Sequence, residues 1–156
     1  MDELKIDYEL LRLYLNALFT YLFGESSDFN AIISSKKLSS YFYVDHVAID
    51  NIYTLSIEAE SEYADLFKEE VDKQILNIQI TEEDFLRVKK IWISILVRSL
   101  DNGEAMVSSV VDDLIRNGKL TDQYELINRL NYEELLRIIP KLDFTNKSFI
   151  LMVPKK

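Results

Sequence analysis

Residues 7 to 23, DYELLRLYLNALFTYLF, constrain this chain more than any other stretch. Leu10, Leu11, Leu13, Tyr14, Leu15, Ala17, Leu18, Tyr21 and Leu22 fall around most of a helical circumference, with Asp7 at the N-cap and Gly24 at the C′ position. A helix apolar on most sides needs cover from two directions. That predicts a helix laid against a sheet with further structure above it. Arg12, Asn16 and Thr20 interrupt the run, and Leu10 to Phe23 is only 14 residues long, too short for a membrane span.

The sheet should come from residues 39 to 59. Tyr53, Leu55, Ile57 and Ala59 alternate with Thr54, Ser56 and Glu58, the period of a strand with one wet face. The aromatic and β-branched run SYFYVDHV precedes it, and Ile49-Asp50-Asn51 supplies a turn, so an antiparallel hairpin is expected. Helical periodicity marks a short segment from Ser27 or Asp28 to Ser35. It returns over residues 61–77, 81–100, 104–116, 122–129 and 132–139. Thr81 is placed as an N-cap, Asp101-Asn102-Gly103 breaks two helices apart, Gly118 closes the second, and Asn131-x-x-Glu134 forms a capping box. A last strand is expected from about Lys147 to Val153, stopped by Pro154. The fold class is therefore α/β, or α+β: a small antiparallel-rich sheet of about three strands packed by about six helices, with residues 1–156 in a single domain.

Charge and composition exclude several functions. A net charge of −9 gives no basic face for nucleic acid, and the lysine pairs Lys36-Lys37, Lys89-Lys90 and Lys155-Lys156 are too short for a polybasic patch. The start MDELKIDYEL is acidic where a signal peptide is basic. Zero cysteines remove disulfides, thiolate nucleophiles and Cys-ligated zinc, and fit a reducing cytoplasm. Neither GxGxxG, GxxxxGK[ST] nor GxSxG occurs.

The remaining candidates for chemistry are sparse. His46 is the only histidine, with Asp45 and Asp50 nearby, and reads as a solvent-side strand residue beside a turn. The acidic pairs Glu69-Glu70, Glu82-Glu83, Asp112-Asp113 and Glu133-Glu134 point about 100° apart on helices, so none converges on one ion. Tyr41 and Tyr43, with Tyr53, are either a groove for peptide or cross-strand pairs on a half-buried sheet.

Several phrases, in this order, resemble the pitrilysin/insulinase family of zinc metallopeptidases. They are LYLNALFTYLFGESSDFNAIISSKKL, YFYVDHVAIDNIYTLSIEAES, ITEEDFLRVKKIWISILVRSLDNGEAM and LINRLNYEELLRIIPKLDFTNKSFILMVPK. The resemblance spans residues 7 to 154 and is to the C-terminal, non-catalytic half of bacterial members. It implies a half-domain that starts just short of its usual first strands, walls a peptide-selecting chamber and docks a catalytic half. Zinc is expected only in that partner half. The family's H-x-x-E-H cannot be formed with one histidine. Of the R-x-x-x-x-G-L-x-Y segment that active members use, Tyr41 would take the Tyr place. The stretch IISSKKLSSYFY, however, carries neither Arg nor Gly. The resemblance thus assigns no catalytic residue and no metal ligand here, and leaves Tyr41 and Tyr43 as substrate-binding candidates. A stand-alone α/β interaction or regulatory module that pairs with a second copy is the other reading. An enzyme built on Asp45, His46 and Asp50 is a third.

Overall fold

A computed structural model of the chain describes residues 6–49 and 52–153. Among them lie seven α-helices, two strands and one 3-10 turn. In chain order these are α1 (Tyr8–Phe23), α2 (Asp28–Ser35), β1 (Tyr41–Ile49), β2 (Ile52–Glu60), α3 (Ala64–Leu76), α4 (Glu82–Leu100), α5 (Gly103–Asn117), α6 (Gln123–Arg129), α7 (Tyr132–Ile138) and the turn Ile139–Lys141. This is the α/β class expected from the sequence. The residues divide into two compact units, one holding residues up to Tyr21 together with Ile80–Lys141, the other Leu22–Gln79 together with the segment from Leu142 onward.

The first unit is helical. Its core gathers Leu11, Tyr14, Leu15 and Leu18 of α1, Phe85 and Val88 of α4, Leu126 and Ile127 of α6, and Leu135 and Ile138 of α7. Helix α4 starts where Thr81 accepts the Asp84 N–H at 3.2 Å while the Asp84 carboxylate receives the Thr81 N–H at 3.4 Å, a reciprocal cap. Asn131 accepts the Glu134 N–H at 2.9 Å and starts α7, but the expected box is not completed, because the Asn131 N–H donates to the Tyr14 hydroxyl and not to Glu134. The Asp101-Asn102-Gly103 break works as expected. The Asp101 and Asn102 N–H groups close α4 on Arg98 and Ser99 carbonyls, and Asn102 then accepts the Glu104 N–H at 3.1 Å to begin α5. Gly118, at φ +66, ends α5 in the left-handed region that glycine enters without strain. Two tyrosine hydroxyls are matched over long sequence separations: that of Tyr14 accepts the Asn131 N–H at 3.0 Å, and that of Tyr132 donates to the Ile80 carbonyl at 2.8 Å. Burial, partly offset by the Asn131 bond, pushes the Tyr14 phenol above its ordinary pKa.

The second unit packs α2, α3 and the hairpin. Phe29 of α2 meets Phe23, Phe42 and Phe67 edge-on, at centroid distances of 5.0, 5.4 and 5.9 Å, and Ile33, Leu38 and Ile75 complete the core. Ser27 caps α2 by accepting the Asn30 N–H at 3.1 Å. The strands pair antiparallel from Tyr41↔Glu60 to Ile49↔Ile52, and the turn residues Asp50 and Asn51 lie outside the described set. On α3, Glu70 takes Lys36 and Lys73, each at 2.9 Å, and Asp72 takes Lys68 at 2.9 Å and Lys147 at 2.6 Å.

The expected last strand is not present. Lys147 is held by Asp72 and by its own N–H on the Thr145 carbonyl, but Ser148 to Val153 forms no ladder, and Ile150 and Met152 are 83% and 90% exposed. Apolar β-branched composition favours an extended backbone, yet a strand needs a neighbour to pair with, and among the described residues the sheet holds β1 and β2 alone.

Candidate functional site

The period of two along the hairpin decides which side chains meet. Phe42, Val44, His46, Leu55 and Ile57 share one face, and Phe42 reaches down to Phe29 and Phe67. The opposite face presents Tyr41, Tyr43 and Asp45 from β1 beside Glu60, Glu58 and Ser56 from β2, each directly opposite its partner in that order. Tyr41 and Tyr43 are 61% and 51% exposed. The result is a solvated strip of two phenol rings beside two carboxylates, suited to a cationic or extended peptide chain and carrying no nucleophile or paired acid and base.

His46 does not join this strip. It lies half-buried on the apolar face beside Val44 and opposite Leu55, so the solvent-side position expected for it is not where the strand register puts it. Asp45 turns its carboxylate back to accept the His46 backbone N–H at 2.8 Å. Asp50, the third member of that sequence trio, lies outside the described residues.

Several acidic side chains serve the fold. Lys36 and Lys73 hold the Glu70 carboxyl below its usual pKa, Lys147 and Lys68 do so for Asp72, and Asp113 accepts the Thr121 N–H at 2.9 Å and Gln123 Nε2 at 3.2 Å. Lys89 is a half-buried cation whose Nζ donates to the Leu130 and Asn128 carbonyls at 2.6 and 3.2 Å, and desolvation lowers its pKa. Among the described residues no group of three His, Cys, Asp or Glu side chains is gathered to hold a metal ion, and no helix is long and apolar enough to cross a membrane. A single histidine without any cysteine does not fit a zinc site of the H-x-x-E-H type.

One feature escaped sequence reasoning because no glycine signals it. Lys37 sits at φ +52, in the left-handed region, directly before Leu38. That is the backbone a Gly-Leu pair would supply. Counted from it, the tyrosine of the R-x-x-x-x-G-L-x-Y pattern falls on Ser40, one residue before Tyr41, and the arginine falls on Ile32.

No family model matches the sequence, and no curated protein matches it. The fold does match a solved structure. That structure is the crystal structure of a "putative M16-like peptidase" from Alicyclobacillus acidocaldarius, at a TM-score of 0.71 and 21% sequence identity over 81% of this chain. The fold is M16 peptidase-like. At the level of fold, the comparison agrees with the peptidase resemblance read from the sequence phrases. The chain corresponds to 31% of the length of that protein.

Proposed function

We propose that this chain acts as a non-catalytic half of a pitrilysin/insulinase-type peptidase, resembling the family's C-terminal half and treated over residues 1–156 as one such piece. The observation that carries the reading is the M16-like fold over 81% of a chain whose single histidine cannot form H-x-x-E-H. Zinc and its water-activating glutamate would belong to the partner half, where the metal supplies a hydroxide nucleophile at neutral pH. This chain would supply a docking surface, a wall of the chamber and peptide contacts, in a reducing compartment. Tyr41 and Tyr43 stand on its exposed strand face beside Glu58 and Glu60. With a net charge of −9 it favours basic peptide segments over acidic ones.

The test is light scattering and peptide hydrolysis with an H-x-x-E-H half-domain from the same cell, alone and co-expressed with this chain. A stoichiometric complex that cleaves basic peptides faster than the other half alone supports the reading. If the chain neither binds such a half nor alters its cleavage, the reading is overturned. Within an active complex, Tyr41→Ala and Tyr43→Ala should raise KM for peptide with little change in kcat. An unchanged KM removes the strip from the peptide path.

A further inference from the structure

Helix α5 is amphipathic, yet among its described side chains none is buried in the core of its unit. Met106, Val107, Val110, Val111, Leu114 and Ile115 recur at the spacing of one helix face, while Ser108, Ser109 and Asp112 take the other side. A helix with that pattern normally buries its apolar face. Here Val107 and Ile115 are 63% and 76% exposed, and Met106, Val111 and Leu114 are each about half exposed. Together the five leave bare roughly 500 Å² of apolar surface, at the upper end of what a monomer carries without a partner.

The order of these residues says what would cover them. The set is symmetric about the midpoint between Val110 and Val111: Val107 and Leu114 stand equally far on either side, and so do Met106 and Ile115. A second α5 running antiparallel across a two-fold axis at that midpoint lays Val110 on Val110, Val111 on Val111, and Val107 of each copy over Leu114 of the other. The one charged residue in line with this face, Glu104, lies at the start of the helix, and its two copies would stand about 20 Å apart along the axes, so like charges do not meet across the two-fold. An isologous contact requires such self-complementarity, and this face meets the requirement. The area from α5 alone is more than half of the ~800 Å² that one copy gives to a standard interface.

We infer that α5 is a homodimerisation helix, pairing antiparallel with α5 of a second copy about a two-fold axis at Val110–Val111. The inference concerns α5 of the first unit and does not rest on the peptidase-half reading, which could fail while this one stands.

The chain has no cysteine, so single cysteines read the register directly. In the proposed pairing two copies of residue 111 are offset by one residue along the axes, within the Cα separation of about 4.4–6.8 Å that a disulfide spans. Two copies of residue 115 are nine residues apart, about 13 Å along the axes, and cannot be bridged. Under mild oxidation Val111→Cys should give a covalent dimer at least ten-fold faster than Ile115→Cys, although Ile115 is the more exposed position. Light scattering of the unmodified chain should show a dimer whose mass returns to that of one chain in Val111→Glu, with the far-UV circular dichroism unchanged. Mixing Val111→Glu with Val111→Lys should restore the dimer, which a misfolded variant would not do. Equal cross-linking at both positions, cross-linking faster at 115, or a chain monomeric up to about 0.5 mM overturns the inference.

Discussion

Replacing Phe29 by Ala should be the most damaging single change in the second unit. The ring is 1% exposed and meets three others edge-on within 6 Å, so nothing nearby can close the space it leaves without abandoning another contact. Truncating a buried Phe costs about 3–5 kcal/mol through lost transfer energy and the residual cavity. Each edge-on ring pair adds about 0.5–1.5 kcal/mol beyond burial, so Phe29→Leu, which keeps most of the volume, should still lose about 1.5–3 kcal/mol. Phe42→Ala should cost less than Phe29→Ala, because Phe42 is only half-buried and meets two rings of this cluster, Phe29 and Phe67. The assay is urea unfolding by circular dichroism, with amide exchange of Val44 and Ile57 reporting the hairpin. A double-mutant cycle on Phe29 and Phe67 should return a coupling of about 1 kcal/mol. A loss below about 1 kcal/mol in Phe29→Ala, with hairpin exchange unchanged, would refute the view that this cluster fastens β1 to α2 and α3. The tyrosine strip depends on that fastening, since Phe42 anchors the strand whose other face carries Tyr41 and Tyr43.

Lys37→Gly should raise stability by about 0.5–1 kcal/mol, because relief of the left-handed strain exceeds the added freedom of the unfolded chain; a loss on chemical denaturation would contradict this. Thr81→Ala should cost about 1 kcal/mol and fray the first turn of α4, read as faster amide exchange at Asp84 and Phe85. Glu70 and Asp72 have folded-state pKa values depressed by their lysines. Their contribution is therefore complete above the ordinary carboxylate range and is lost as the pH falls through the lower folded-state values. The Glu70→Gln, Asp72→Asn double variant should accordingly show a flatter loss of unfolding midpoint below about pH 4 than the parent, and identical slopes would remove the ion pairs from the account. Tyr43→Ala should change stability by less than about 1 kcal/mol in the same unfolding assay, as expected for an exposed ring.

Most local elements could be read from the residues because their causes are local. The three-and-four spacing from Phe85 to Leu96 with Thr81 before it specified α4, and strict alternation from Tyr53 to Ala59 specified β2. What failed depended on distant partners. The run Phe149–Val153 has strand composition but no neighbouring strand among the described residues, and composition says nothing about that. The face of His46 followed from hairpin register, which sends even-numbered β1 residues toward Phe29 and was not resolved by the single letter's polarity. The Asn131 N–H that meets the Tyr14 hydroxyl comes from 117 residues away. Lys37 adopts a glycine-like backbone without being glycine. The α5 pattern was legible as a helix, but whether its apolar face would be covered was not.

The distribution of spent and unspent groups bears on function. The carboxylates of Glu70, Asp72, Asp84, Asp113 and Glu134 each hold a cap, a loop or an ion pair. The aromatic and apolar surface left facing water includes Tyr41 and Tyr43 in the second unit and the Val107–Ile115 face in the first. Because the two surfaces lie in different units, Val111→Glu should abolish self-association while leaving the KM of an active complex intact, and Tyr43→Ala should do the opposite. If one substitution moved both readouts, peptide contact and self-association could not be separate tasks.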